Sequence, residues 1–129
     1  MIDPGASVVI TLRWPPPILF PNARNASHWR QVRGPKAEYR DECYWLAKQA
    51  IGRVRFPVRP NIAVRFVPPD ARKRDDDGMI GAFQNARDAI AAAIGFDDEG
   101  WSPSYHFARP EKPGAIVVTL TAVGASNAP

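Results

Sequence analysis

Three adjacent carboxylates, Asp75-Asp76-Asp77, follow directly on three cations, Arg72-Lys73-Arg74, and a second acidic run, Asp97-Asp98-Glu99, comes one helix-length further on. Neighbouring aspartates repel one another, so such a run costs free energy unless a cation or a helix N-terminus answers it. Asp75 and Asp77 alternate with Asp76, so an extended approach to a helix would aim both the same way. Oxygen-only donors suit Mg2+ or Mn2+ rather than zinc. Carboxylates that hold such an ion, beside cations that hold phosphates, are the equipment for phosphodiester hydrolysis. Two plainer readings stand beside this one. Asp77 would cap a helix and favour its dipole, or the acids would pair with the flanking cations at the surface.

The helix that must separate the two acidic runs spans about Asp77 to Ile94, with an apolar stripe of Met79, Phe83, Ala86, Ile90, Ala93 and Ile94. Gly95 stands where helices commonly end. Seven residues turn nearly two full turns, so Asp77, Gln84 and Asp88 share one face, with Gly81 leaving space on it. That polar stripe is either a solvated face or an extension of the acidic centre. The helix is long enough to reverse the chain, so Asp97 and Asp98 could return toward the sheet.

The remaining elements follow from period and punctuation. Val8-Val9-Ile10-Thr11-Leu12 reads as a buried strand, ended by Trp14-Pro15-Pro16-Pro17, which cannot donate to a ladder. Pro21 to Pro35 is polar, basic and aperiodic, which predicts a long functional loop. From about Ala37 the spacing of Tyr39, Cys43, Leu46, Ala47, Ala50 and Ile51 predicts a helix stopped at Gly52. Ile62 to Val67, Tyr105 to Ala108 and Ala115 to Val123 read as strands, the last two as an antiparallel hairpin closed around Glu111 to Gly114. The order β-α-β-α-β-β predicts an α+β fold, a small mixed β-sheet packed with two main helices. Residues 1–129 are expected to form a single domain with 1–6 and 124–129 frayed.

At 129 residues and 45% hydrophobic content, the chain can bury one core without a staple. The single cysteine, Cys43, excludes an internal disulfide and a cysteine-based metal site, and its place on an apolar helix face makes it a core residue. The start, Met1 to Ala6, lacks a secretory pattern, and no apolar run suffices to cross a bilayer. A cytoplasmic protein with no membrane partner is therefore expected. The net charge of +4 permits an anionic partner. Its distribution says more. Arg24, Arg30, Arg33 and Lys36 occur with no acid between them, as do Arg53, Arg55, Arg59 and Arg65. Ordinary solvated arginines remain the alternative.

Taken in order, several segments resemble the signature of the RusA family of Holliday junction resolvases. They are Arg74-Asp75-Asp76-Asp77-Gly78, Ala82-Phe83-Gln84, Arg87-Asp88-Ala89 and Gly95-Phe96-Asp97-Asp98. Upstream, Thr11-Leu12-Arg13-Trp14-Pro15-Pro16 is similar to the family's strand ending in an aromatic-Pro-Pro, Pro21-Asn22-Ala23-Arg24 with His28-Trp29-Arg30 resembles a variant seen in its phage and prophage members, and Tyr39-Arg40 falls where its first helix often has them. The resemblance runs from about Val8 to Val123. It implies a RusA-like homodimeric, Mg2+-dependent (or Mn2+-dependent) endonuclease that resolves four-way DNA junctions in recombination and repair. By position it implies that Asp75, Asp77 and Asp98 bind metal, with Asp97 the alternative third ligand. It places Gln84 at the catalytic position where the family usually carries a helix lysine, and Gly78 where it usually carries asparagine. A neutral Gln84 stabilises developing phosphate charge poorly, so a junction-binding protein with weak cleavage is the alternative. For branched DNA the expected phosphate contacts are Arg24, Arg30, Arg33, Lys36, Arg72, Lys73 and Arg74. His28 and Trp29 would stack on an opened base or pack beneath the loop, and Trp101 would serve the core or a dimer contact.

Overall fold

The computed structural model describes residues 3–20 and 29–123, with residues 29–32 described by backbone only. The chain runs β1 (Ser7–Arg13), a 3-10 turn (Pro17–Leu19), α1 (Trp29–Ile51), β2 (Asn61–Val67), α2 (Asp76–Ile94), β3 (Ser104–Phe107) and β4 (Ala115–Thr121). β1, β2 and β4 alternate strictly between covered and open positions, the period that puts successive side chains on opposite faces of a sheet. The inward set, including Ile10, Leu12, Val64, Phe66, Ile116, Val118 and Leu120, is essentially inaccessible to solvent. The two helices pack against that face, giving the α+β class expected from the element order.

The strand order is β1-β4-β2-β3. β4 lies between β1 and β2, antiparallel to both, while β3 is parallel to β2 at the edge. The expected β3–β4 hairpin is thus wrong. α2 supplies the helical crossover that parallel neighbours need, so β3 joins β2. The segment that follows then runs along the end of β2, Ala108 N–H donating to Phe66 O (2.8 Å) and Glu111 N–H to Pro68 O (2.7 Å). Gly114 closes this link with φ +86° against Pro69, where a side chain would be both strained and crowded.

α1 is the second correction. It starts at Trp29 and carries Pro35 inside it, whereas the sequence predicts a loop through Pro35 and a helix from Ala37. A proline removes one intrahelical bond and crowds the carbonyl four residues back; here the helix continues through that loss. The predicted loop positions Pro21 to His28, including Arg24, lie outside the described residues, as do 1–2 and 124–129. At the start, Gly5 N–H donates to Ala122 O and Ala122 N–H to Ala6 O (2.8 and 2.9 Å), so residues 5–6 extend the sheet rather than fray.

α1 is tied to the sheet by Tyr39, fully buried, whose hydroxyl donates to Arg13 O at 2.6 Å. Cys43 packs one turn on, and burial pushes its thiol up to about 12, as expected for an inert core cysteine. Phe66 is the central core residue, edge-on to Phe83 and stacked on Phe107. Among the described residues no helix is long and apolar enough to cross a membrane.

Candidate functional site

The acidic residues sit at the two ends of α2, and the ends are built differently. At the N-terminus Asp75 is the cap position, with extended backbone (φ −87°, ψ 149°) and no capping bond from its side chain. Asp76 and Asp77 already belong to the first helical turn. The expectation that Asp75 and Asp77 alternate as in a strand therefore fails beyond Asp75, because the helix rotates about 100° per residue. All three carboxylates are exposed, and the dipole of the helix N-terminus favours them. Gly78 has a definite role here: a Cβ at this position would collide with Asp75 Oδ1, so the carboxylate of Asp75 lies over the glycine.

The cations before α2 divide in two. Arg74 is committed to its own loop. It donates to Asp70 O (3.1 Å), Arg72 O (3.0 Å) and Asp70 Oδ1 (2.9 Å), and its guanidinium lies 5.5 Å over the Trp14 ring. The backbone N–H of Arg72 and the Arg74 side chain hold the Asp70 carboxyl below its usual range. Arg72 and Lys73 are exposed.

At the other end Gly95 takes the left-handed conformation (φ 80°) that ends α2, and residues 96–101 return along the helix. Ties from two places, the Arg59–Pro60 segment before β2 and α2 itself, hold this return. Arg59 donates to Asp97 O and Glu99 O (2.9 and 2.8 Å). Trp101 Nε1 donates to the buried Pro60 O at 2.8 Å. Arg87, from α2 itself, donates to Trp101 O at 3.3 Å and sets its Nε 3.7 Å from Asp98 Oδ2. That Nε is buried and makes no hydrogen bond, so the Asp98 carboxylate is its nearest compensation.

The return brings Asp98 against Asp88. The two carboxyls share a hydrogen bond, which raises the Asp88 pKa, with partial burial adding to the rise, and lowers that of Asp98. Two carboxyls in contact repel one another when both are ionised. Asp98 is thus placed on the polar stripe of α2 that the helix phase identifies. Gln84, exposed on the same stripe, stands between this pair and Asp77.

Asp75, Asp77 and Asp98 do not converge within one chain. Eleven residues of helix separate Asp77 from Asp88, about 16 Å at 1.5 Å per residue, and among the described residues no group of three or more His, Cys, Asp or Glu side chains is gathered to hold a metal ion. The donors still fit Mg2+ or Mn2+ in kind. Mg2+ commonly takes one or two protein carboxylates and fills its shell with water and substrate phosphate. The repulsion within the Asp88–Asp98 pair is what a cation there would relieve.

Of the other predicted phosphate contacts, Arg33 and Lys36 are exposed on α1, and Arg30 lies on its first turn. Trp101 belongs to the core. Sequence reasoning missed Asp88 as the partner of Asp98, although the helix phase held the signal. It also missed Arg59 and Arg87 as ties, because contacts to backbone carbonyls leave no pattern in sequence.

No family model matches the chain. An uncharacterized protein of Xylella fastidiosa (strain Temecula1) is 33% identical over 119 residues, covering 88% of this chain and 76% of that protein.

Proposed function

We propose that this chain, which belongs to the same family as that Xylella fastidiosa protein, is a metal-dependent endonuclease that cuts branched DNA, four-way junctions in particular, as a cytoplasmic homodimer. The observation that carries the reading is the docking of Asp98 onto the polar stripe of α2, the helix capped at Asp75 with Asp77 in its first turn. That stripe then presents carboxylates at both of its ends, with Arg72 and Lys73 beside one of them. The ordered resemblance to RusA-type resolvases supports the same reading and assigns the same aspartates.

Asp75 and Asp77 would hold one ion together with substrate phosphate, and Asp98 with Asp88 supplies the second carboxylate set. A bound Mg2+ or Mn2+ lowers the pKa of a ligated water and offsets charge on the phosphate oxygens. The residues themselves do the positioning. Arg87 and Arg59 keep the Asp98 loop fixed, so its carboxylate needs no reorganisation on binding. Arg72 and Lys73, with Arg33 and Lys36 of α1, contact backbone phosphates without reading sequence.

A second reading, a junction-binding protein with weak cleavage, is favoured by one observation: the stripe between the two acidic ends carries neutral Gln84. Cleavage of a labelled four-way junction, against linear duplex, in Mg2+ and in Mn2+, tests both. Paired, metal-dependent nicks in the junction are expected. The absence of both nicking and junction-selective binding would overturn the proposal. If junction binding occurs without nicks, the Gln84→Lys variant is expected to restore cleavage by about 10²–10³, the scale of one electrostatic stabiliser. A restored rate would establish the second reading.

A further inference from the structure

The acid-free basic run beyond α1 has a place of its own in the fold. The C-terminal ends of α1 and α2 flank a cleft of about 800 Å3. Lys48, Arg53 and Arg55 line it, its remaining lining is apolar or glycine, and no acid faces it. Gly95 and Phe96, on its wall, lead within two residues to Asp98. The cleft therefore adjoins the tied acidic end of the stripe.

These cations are not needed where they stand to cap helices. Gly52 N–H closes the end of α1 on Lys48 O, and the N–H groups of Gly95 and Phe96 close α2 on Ala91 O and Ala92 O. Lys48 holds its Nζ 5.8 Å from the centre of the Tyr44 ring, while neither arginine of the cleft is committed elsewhere. Arg13, Arg59, Arg74 and Arg87 each bind Glu42, a carboxylate or a carbonyl. Among the described residues Arg53 and Arg55 enter no such contact, and both are exposed. Three cations around an apolar floor match the two chemistries of a nucleic-acid strand, anionic phosphates and flat bases. The space is too small for a duplex.

We propose that this cleft binds one strand of the DNA substrate, with phosphates on Lys48, Arg53 and Arg55 and a base against the apolar floor formed by Ile51, Phe56 and Phe96. The inference rests on the functional reading above and specifies where an unpaired strand at the branch point runs as it passes Asp98.

The test measures anisotropy of a labelled single-stranded oligonucleotide and of a four-way junction across a salt series. The Arg53→Gln/Arg55→Gln protein is compared with wild type and with Arg65→Gln/Arg109→Gln, which removes the same charge from exposed positions outside the cleft. An Ala92→Glu variant places an acid on the cleft wall without touching either arginine. For single strand, the cleft variant should lose about 1.4 from the log–log salt slope, two contacts at about 0.7 each. Its affinity should fall about tenfold, that of Ala92→Glu likewise, and that of the control by far less. Wild type that binds DNA while the cleft variants match the control overturns this inference alone. Wild type that binds neither DNA overturns the functional reading, and the cleft with it.

Discussion

The two ends of α2 carry similar acids on opposite foundations. At the N-terminus Asp75, Asp76 and Asp77 are exposed, supported by the helix dipole and by a glycine beneath Asp75. At the C-terminal side Asp98 is held by its loop, which Arg59, Arg87 and Trp101 fasten to the Arg59–Pro60 segment and to α2. The difference shows where each carboxylate's position comes from. One end is placed by local helix geometry; the other is placed by long-range contacts that fix a loop.

That contrast can be broken from either side. The largest stability effect is expected at the tied end. Trp101→Phe leaves the buried Pro60 carbonyl without its donor, which costs about 1–3 kcal/mol, visible as a lower midpoint in urea unfolding. Its absence would mean that the loop does not depend on that bond. At the open end, Gly78→Ala should instead stabilise by up to about 1 kcal/mol, because alanine is the better helix former and the atoms nearest the added Cβ are the side-chain end of Asp75. The same change displaces that carboxylate, so Mn2+ affinity should fall while stability rises. A variant whose stability and affinity move together would contradict the separation of support from function.

The smallest effect sharpens the comparison at the loop before α2. The folded pKa of Asp70 is lowered, so its contribution is present above the unfolded value and is lost as pH falls through the folded one. Asp70→Asn should therefore lower the melting temperature slightly at neutral pH, and the deficit should vanish toward acid. A deficit that grows as pH falls would contradict this assignment.

Much of the fold was legible because its signals are local. Apolar, β-branched runs marked β1, β2 and β4, and three- and four-residue spacing marked α2 to within a residue. Pairing was not legible: the partner of β3 depends on where α2 delivers the chain, and its four residues, Ser104–Phe107, do not encode that locally. The start of α1 was misjudged because Pro35 reads as a boundary, although a helix can continue through one lost bond. In the site, helix phase placed Gln84 and Asp88 on one face with Asp77, and so anticipated the stripe. The docking of Asp98 on it depends on arginines that grip carbonyls, a contact that any exposed cation could make. Nor could the sequence show that Arg74, one of the expected phosphate contacts, is also part of the loop's framework.

The most direct test of the account is whether both ends of α2 serve one reaction. Single-turnover nicking of a four-way junction in Mn2+ would be measured for wild type, Asp77→Asn and Asp98→Asn, with junction affinity measured in parallel. The account predicts that each substitution lowers the nicking rate by at least about 10² while junction binding persists. If either variant nicks at the wild-type rate, that end of the helix takes no part in the chemistry, and the shared acidic stripe is not the active centre.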